Sequence, residues 1–357
     1  MKTYTKFLIN QFSISFAKVF LTFFIIILIT NILEQIEFFK NIDLDFTYLI
    51  FLALLNTPSI TFEILPFIFL LSTQIFFINL IDKKELDILK YSGLNNLIII
   101  KVISIYTFII GLIFIIIFYN ASAFLKNSYL LIKNKYSDDN KYLAVITENG
   151  LWIKDEINSN INIISANKVD GNFLLDVSIV QFNKDFEVLN SIQSKKVNIS
   201  SYKWKIFQPT ILENGQKIYF DSIILESNFD LEKINSLFSN LSSLTLVELF
   251  KLKKSYKSLN YSTVEISSHL YKVISYPIYL TLITIFSSII MFSIGYQKNS
   301  FYKIVWGIFL SVIIYYINYF LNVLGTNEKI PLVVSIFLPF IILSIINFIS
   351  IIKLNEK

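Results

Sequence analysis

The sequence predicts an α-helical membrane protein with six transmembrane helices and an inserted all-β domain. Three observations carry that prediction. The 357-residue chain is 54% hydrophobic and only 16% charged, with a mean hydropathy of +0.61, far from the balance of a water-soluble globular protein. Its apolar residues gather into runs of the roughly 20 residues that a bilayer crossing needs. Between the third and fourth runs, the character of the chain changes to short alternating segments separated by turn dipeptides.

The first run covers roughly residues 10–33 and holds Lys18, which is placed to snorkel to an interface. It lacks a small-x-small cleavage site, so it reads as a retained span. The second run, 47–81, contains Pro58 and Pro66. At about 1.5 Å per residue it is too long for one straight crossing and should tilt or break at the prolines. The remaining runs cover 98–123, 273–295, 303–323 and 331–352. The expected organisation is therefore 1–125 with three spans and a short helix at 82–93, then 126–262 as the β domain with a connecting helix, then 263–357 with three spans.

In the insert, "VNISSYKWKIF" alternates, with Tyr202, Trp204 and Ile206 on one face and Ser201, Lys203 and Lys205 on the other. "NINIIS" and "DVSIVQF" read as further strands. Asn149-Gly150 and Asn214-Gly215 are hairpin-turn dipeptides. "TLVELFKLKKSYKS" then leads back to the membrane as a charged helix.

Lysine placement orients the chain. With the N-terminus inside, the cytoplasmic segments carry Lys2, Lys6, Lys83, Lys84, Lys90, Lys298, Lys303, Lys353 and Lys357, while the short outer loops carry Lys40 and Lys329 among acids. Both termini are expected in the cytoplasm and the β domain outside.

Composition removes several chemistries. There is no Cys and a single His, His269, so thiol catalysis, disulfides and Cys/His zinc sites are excluded. No phosphate-cradling G-x-x-x-x-G-K-[ST], H-E-x-x-H or G-x-S-x-G occurs. His269 lies four residues after Glu265, which suggests a pair on one helix face. Glu63, between Pro58 and Pro66, is the one carboxylate well inside a span, a position that marks an ion path when buried.

The segment "KKELDILKYSGLNN", 83–96, is a compact charged helix between two spans. Asp82 and Glu85 have the spacing of a capping box, and Gly93 suits the left-handed position beyond a helix end, with apolar Leu94 after it. Leu86, Leu89 and Lys90 share a face, with Ile88 to one side. The residues leave two readings open: a helix lying on the inner leaflet, or a rigid peg that docks a cytoplasmic partner.

Six spans, a β insert after the third and this segment after the second resemble the lipopolysaccharide-export permeases LptF and LptG. In that family an S/K-E-L-x-x-x-x-x-S-G-hydrophobic segment is the coupling helix that sits in a groove of the ATPase. Glu85, Leu86, Ser92 and Gly93 fall on that pattern, with Leu89 on the docking face. "NGLWIKD", 149–155, and "YKWKIF", 202–207, are similar to the LptG-type periplasmic β-jellyroll, and 307–340 resembles the fifth and sixth spans. Where the family carries several basic residues near the outer end of the first span, this chain reads "EQIEFFK" with Lys40, and Lys126 and Lys133 follow the third span.

The resemblance implies an inner-membrane ABC-transporter subunit that is not itself an enzyme and holds no cofactor. ATP and Mg would be bound by a dimeric LptB-like ATPase. An LptF-like second permease and LptC-like and LptA-like periplasmic jellyroll proteins would complete the assembly, with no nucleic acid involved. Lipopolysaccharide would pass from a cavity between the first and fifth spans into the β domain, along a path for which Lys40, Lys126, Trp204 and Ile206 are candidates. A membrane-embedded lipid-linked transferase, or a mechanical ABC subunit that moves no lipid, is the rival reading.

Overall fold

The computed structural model describes residues 2–42, 44–136, 151–157, 160–184, 186–213, 215–231, 234, 240–258, 261–293 and 300–355. Asn149, Gly150, Asn214, Lys298 and Lys357 of the sequence reading lie outside the described residues. The chain forms two units, Met1–Lys126 with Val264–Lys357, and Asn127–Thr263.

The first unit is helical. Its elements are α1 (Thr3–Phe38), α2 (Phe46–Glu63), α3 (Leu65–Asp82), α4 (Glu85–Tyr91), α5 (Asn96–Ile113), a π-helical turn (Phe114–Tyr119) running into α6 (Asn120–Lys135), which passes into the second unit at Asn127, then α8 (Val264–Ser293), α9 (Ser300–Thr326) and α10 (Leu332–Asn355). Among the described residues seven stretches are long and apolar enough to cross a membrane. Two of them, α2 and α3, are halves of the expected second span. Only Ile64 separates them, its N–H donates to Ile60 O (3.3 Å), and its carbonyl accepts from Phe67 and Ile68. Backbone bonds on both sides of Ile64 link the two halves, so α2 and α3 are taken together as the one expected second span, which gives six among the described residues.

The break follows from Pro66, which has no N–H to offer Phe62 O, its acceptor in an unbroken helix. Polar side chains fix the rods where apolar contact with lipid-like neighbours gives no preference. Asn56 Nδ2 donates to Asn31 Oδ1 (2.8 Å), and Asn31 Nδ2 reaches Thr57 Oγ1 (3.4 Å), joining α1 to α2. Gly111 of α5 lets α8 approach closely, since a Cβ there would meet Pro277 Cα at 2.9 Å.

The second unit contains β1 (Leu151–Ile157), β2 (Asn160–Asp170), β3 (Phe173–Phe182), β4 (Val188–Asn198), β5 (Lys203–Phe207), β6 (Thr210–Glu213), β7 (Gln216–Tyr219) and β8 (Ser222–Glu226). The helix α7 (Leu246–Ser258) follows, and Thr245 and Glu248 cap its start reciprocally. Every strand pair is antiparallel and all belong to one sheet, in the order β1-β2-β3-β4-β5-β8, with β6 pairing both β4 and β7.

Register shows what the breaks mean. Val197↔Ile206 and Gln193↔Thr210 keep the same offset, as do Trp204↔Leu225 and Ile211↔Ile218. Thus β5–β6 and β7–β8 are the two arms of one long hairpin, kinked at Gln208-Pro209 and Phe220-Asp221. Gln208 N donates to Asp221 O (3.0 Å) and Phe220 N to Pro209 O (3.3 Å) across the kink.

The kink continues across the sheet. Period-two alternation fails at matching rows of four neighbouring strands, where two consecutive residues turn away from the core: Asn167–Lys168, Leu175–Asp176, Lys195–Lys196 and Phe207–Gln208. Asp176 (φ +50°) and Gln208 (φ +45°) adopt the left-handed region there. Beyond the crease the inward row is Ile164, Ile179 and Ile192; before it, Leu174, Val197, Ile206 and Trp204, all nearly inaccessible. The expected two-faced β domain is therefore one sheet folded along a line. A latch joins its first and last strands: Asp155, 1% exposed, accepts from Ser227 Oγ (2.8 Å), Asn228 N (3.1 Å) and Asn228 Nδ2 (2.8 Å).

Candidate functional site

The helix α4 begins differently from the sequence reading. Asp82 is the last residue of α3, so its backbone is helical and it cannot act as an N-cap; that position falls to Lys84, left-handed at φ +58°, with no side-chain cap. The expected Asp82–Glu85 capping box does not form, because α3 still includes Asp82. The C-terminal end is as the glycine suggests. Gly93 (φ +84°) donates to Lys90 O (3.0 Å) and Leu94 N to Leu89 O (3.1 Å), the paired bonds of a Schellman motif. Leu94 is buried behind it.

The five candidate coupling residues thus sit on one seven-residue helix and its cap, but they face differently. Leu86 is 1% exposed and packs within its own chain, whereas Ile88 (62%) and Tyr91 (92%), one turn apart, are the exposed large apolar side chains of the helix. Leu89 is half-buried, and Ser92 and Gly93 are exposed. One carboxylate oxygen of Glu85, Oε2, is buried and accepts no hydrogen bond in the chain. Acids in the first turn (Glu85, Asp87) and Lys90 in the last suit the helix dipole. A rigid, sharply ended element with an exposed Ile–Tyr pair can dock into an apolar groove.

A second constellation surrounds the kink. Phe62 stacks on Tyr276 of α8 (centroids 4.7 Å) and lies 5.1 Å from Tyr119. Tyr276 Oη donates to Phe62 O at 2.6 Å, replacing the bond that Pro66 cannot make. The π-helical turn presents Tyr119 to His269, whose Nε2 lies 3.0 Å from the phenol oxygen. Glu265 is exposed, so the i,i+4 pairing of Glu265 and His269 gives way to an interhelical contact. Glu63 is exposed at the kink and attracts Lys126 of α6 and Lys272 of α8. Sequence periodicity missed Tyr276, although Pro66 four residues after Phe62 announces a carbonyl in need of a donor.

The other path candidates are dispersed. Lys40 lies in the turn after α1, 3.5 Å from Glu37, both well exposed, a pair worth little. Trp204 and Ile206 are fully buried in the β unit, and Trp204 Nε1 donates to Phe229 O (2.7 Å). They form closed core.

The spans differ in how much of themselves they bury. In their most apolar windows α9 buries 11% of its residues and α1 22%, against 28–56% for the other spanning stretches. Leu21, Ile25, Ile29 and Leu33 give α1 an uncovered stripe at four-residue spacing, and α9 leaves Phe309, Tyr315, Tyr316, Tyr319 and Phe320 exposed.

No curated protein matches the chain by sequence. A family model described as "Lipopolysaccharide export system permease LptF/LptG" matches residues 6–353, nearly the whole length. Together with six helical spans, an inserted antiparallel β unit and a short helix after the second span, this match makes the chain a member of the lipopolysaccharide export permease family LptF/LptG.

Proposed function

We propose that the chain is the LptG-type permease half of an ABC transporter that draws lipopolysaccharide from the bacterial inner membrane and hands it to a periplasmic β-jellyroll bridge. The observation that carries this reading is the uncovered state of α1 and α9, the first and fifth spans. They bury the least of all the spans, and their aromatic and branched faces suit acyl chains and a second copy of similar architecture. Lysine placement supports cytoplasmic termini and a periplasmic β unit. On this reading an LptF-like permease covers the open faces. A dimeric LptB-like ATPase binds ATP and Mg and grips α4 by Ile88 and Tyr91, while LptC-like and LptA-like jellyrolls receive the lipid. This chain supplies no catalytic group. It transmits movement from α4 through the rod α2–α3.

Purification in mild detergent, followed by mass spectrometry of retained proteins and lipids, tests the proposal. The expected result is a second six-span permease, an ATPase and an acylated, phosphorylated glucosamine lipid. Isolation of the chain alone with bulk phospholipid only would overturn it.

A further inference from the structure

We propose that the outer side of the crease in the β unit is a binding groove for an acidic saccharide. This rests on lipopolysaccharide as the cargo, whose sugars remain outside any fold that shelters its acyl chains. A groove of about 790 Å³ opens along the crease, within the size range of pockets that enclose small ligands. Its lining includes Asp176, Ser178, Gln193, Lys195, Phe207 and Gln208. Asp176 offers acceptors, Lys195 donors, and the two glutamine amides and the serine hydroxyl offer both. That mixture matches the paired hydroxyls of a sugar ring, and the Phe207 side chain offers an apolar surface to a ring face. At the groove's edge Lys196 Nζ is held 3.8 Å from the centre of the Phe173 ring. Two lysines against one carboxylate favour an anionic sugar over a neutral one.

The backbone turns at two of the lining residues. Elsewhere in this unit left-handed positions are filled by Gly171 (φ +53°), Gly215 (φ +81°) and Phe186 (φ +60°). At the crease the same region is occupied by Asp176 and Gln208. Aspartate tolerates it, but glutamine does so poorly. Both of these polar side chains line the groove.

The test uses the full chain in phosphatidylcholine nanodiscs and, as probe, core oligosaccharide freed of its lipid by mild acid hydrolysis. Binding is measured by titration calorimetry and saturation-transfer NMR. Lys195→Ala and Gln208→Gly should each weaken binding at least tenfold, while Lys203→Ala, outside the groove, leaves it unchanged. Gln208→Gly relieves backbone strain, so equal or higher thermal stability would accompany the loss and separate it from unfolding. Absence of saturable binding, or wild-type affinity in both Lys195→Ala and Gln208→Gly, would overturn the groove. Because the probe has no acyl chains, this outcome is independent of the lipid mass spectrometry that tests the cargo itself.

Discussion

The hydroxyl of Tyr276 donates a 2.6 Å hydrogen bond to the carbonyl of Phe62, the acceptor four residues before Pro66. One rod is thus broken by a proline and repaired by a tyrosine from another span. Tyr276→Phe keeps the ring stack but removes the side-chain donor from the carbonyl of buried Phe62, which costs about 1–3 kcal/mol. Pro66→Ala restores a backbone donor, so the double variant should recover much of the loss in a thermal or denaturant melt of the detergent-solubilised chain. Additive losses in the two variants would show that the tyrosine does not serve the broken helix.

The contrast between α4 and the rod shows what the sequence could reveal. Gly93 marks a helix end in any context, because only a left-handed residue closes the motif there, and the structure places it so. Asp82 had the right spacing for a cap, but capping requires a non-helical backbone, and whether α3 had already ended was decided by packing that spacing does not record. Strand alternation in "YKWKIF" put Trp204 and Ile206 on the inward face, whereas Tyr202, expected beside them, precedes β5 and is exposed. The crease stayed hidden because its mark, two outward residues in a row, gains meaning only when neighbouring strands are aligned in register.

Docking through α4 separates two leucine-isoleucine substitutions that composition treats alike. Ile88→Asp places a charge on the exposed face and should leave the chain folded while lowering ATPase co-purification and ATP-driven transport at least tenfold. Leu86→Asp buries an unpaired charge inside the chain, costing several kcal/mol, and should reduce the yield of folded protein. Normal ATPase stoichiometry and transport in both Ile88→Asp and Tyr91→Ala would rule out this face.

Glu85 has no capping box to support, so Glu85→Gln reports on a partner more directly than it otherwise would. Glu85 as a whole is partly exposed, and a donor from the ATPase is the partner that docking would bring to it. The expected outcome is an unchanged melting temperature with a several-fold loss of transport. A loss of stability with no loss of transport would assign the carboxylate to the fold.

Gly93→Ala meets no atom within 4 Å, so any cost comes from the backbone at φ +84°. About 1–2 kcal/mol is expected from the left-handed penalty, and Gly93→Asn should be milder. Because the cap is exposed, fraying of α4 would appear as faster amide exchange at Leu94, whose N–H closes the motif, before any global unfolding. Unchanged exchange in Gly93→Ala would show that α4 does not depend on its cap.

The β unit should lose stability in alkali through Tyr261. Its hydroxyl donates to Lys154 O (2.8 Å) and accepts from Lys154 N (2.9 Å), occupying the free edge of β1 as a strand would. Burial pushes the phenol up to about 12, against about 10 in an unfolded chain. The folded state therefore favours the protonated form. Its contribution is fully present below pH ~10 and fades as the pH climbs from there through the folded value. Tyr261→Phe should flatten that alkaline dependence while lowering stability at neutral pH. An identical pH profile in Tyr261→Phe would refute the role.

If acyl chains travel through the β unit, the closed core around Trp204 and Ile206 has to open. One device in the β unit would resist it: Asp155, which ties the first strand to Ser227 and Asn228 after the last. A photo-crosslinking residue at Ile206 should capture lipid only during ATP turnover, and one at Lys205, on the opposite face, should not. Asp155→Ala removes the acceptor for three donors and should raise capture at position 206 even without ATP, because the strands part more easily. A general loosening would raise capture at both positions equally, so the ratio of 206 to 205 is the quantity to measure. A ratio that stays at one with and without ATP would mean that lipid does not pass between the folded layers, whatever the permease carries.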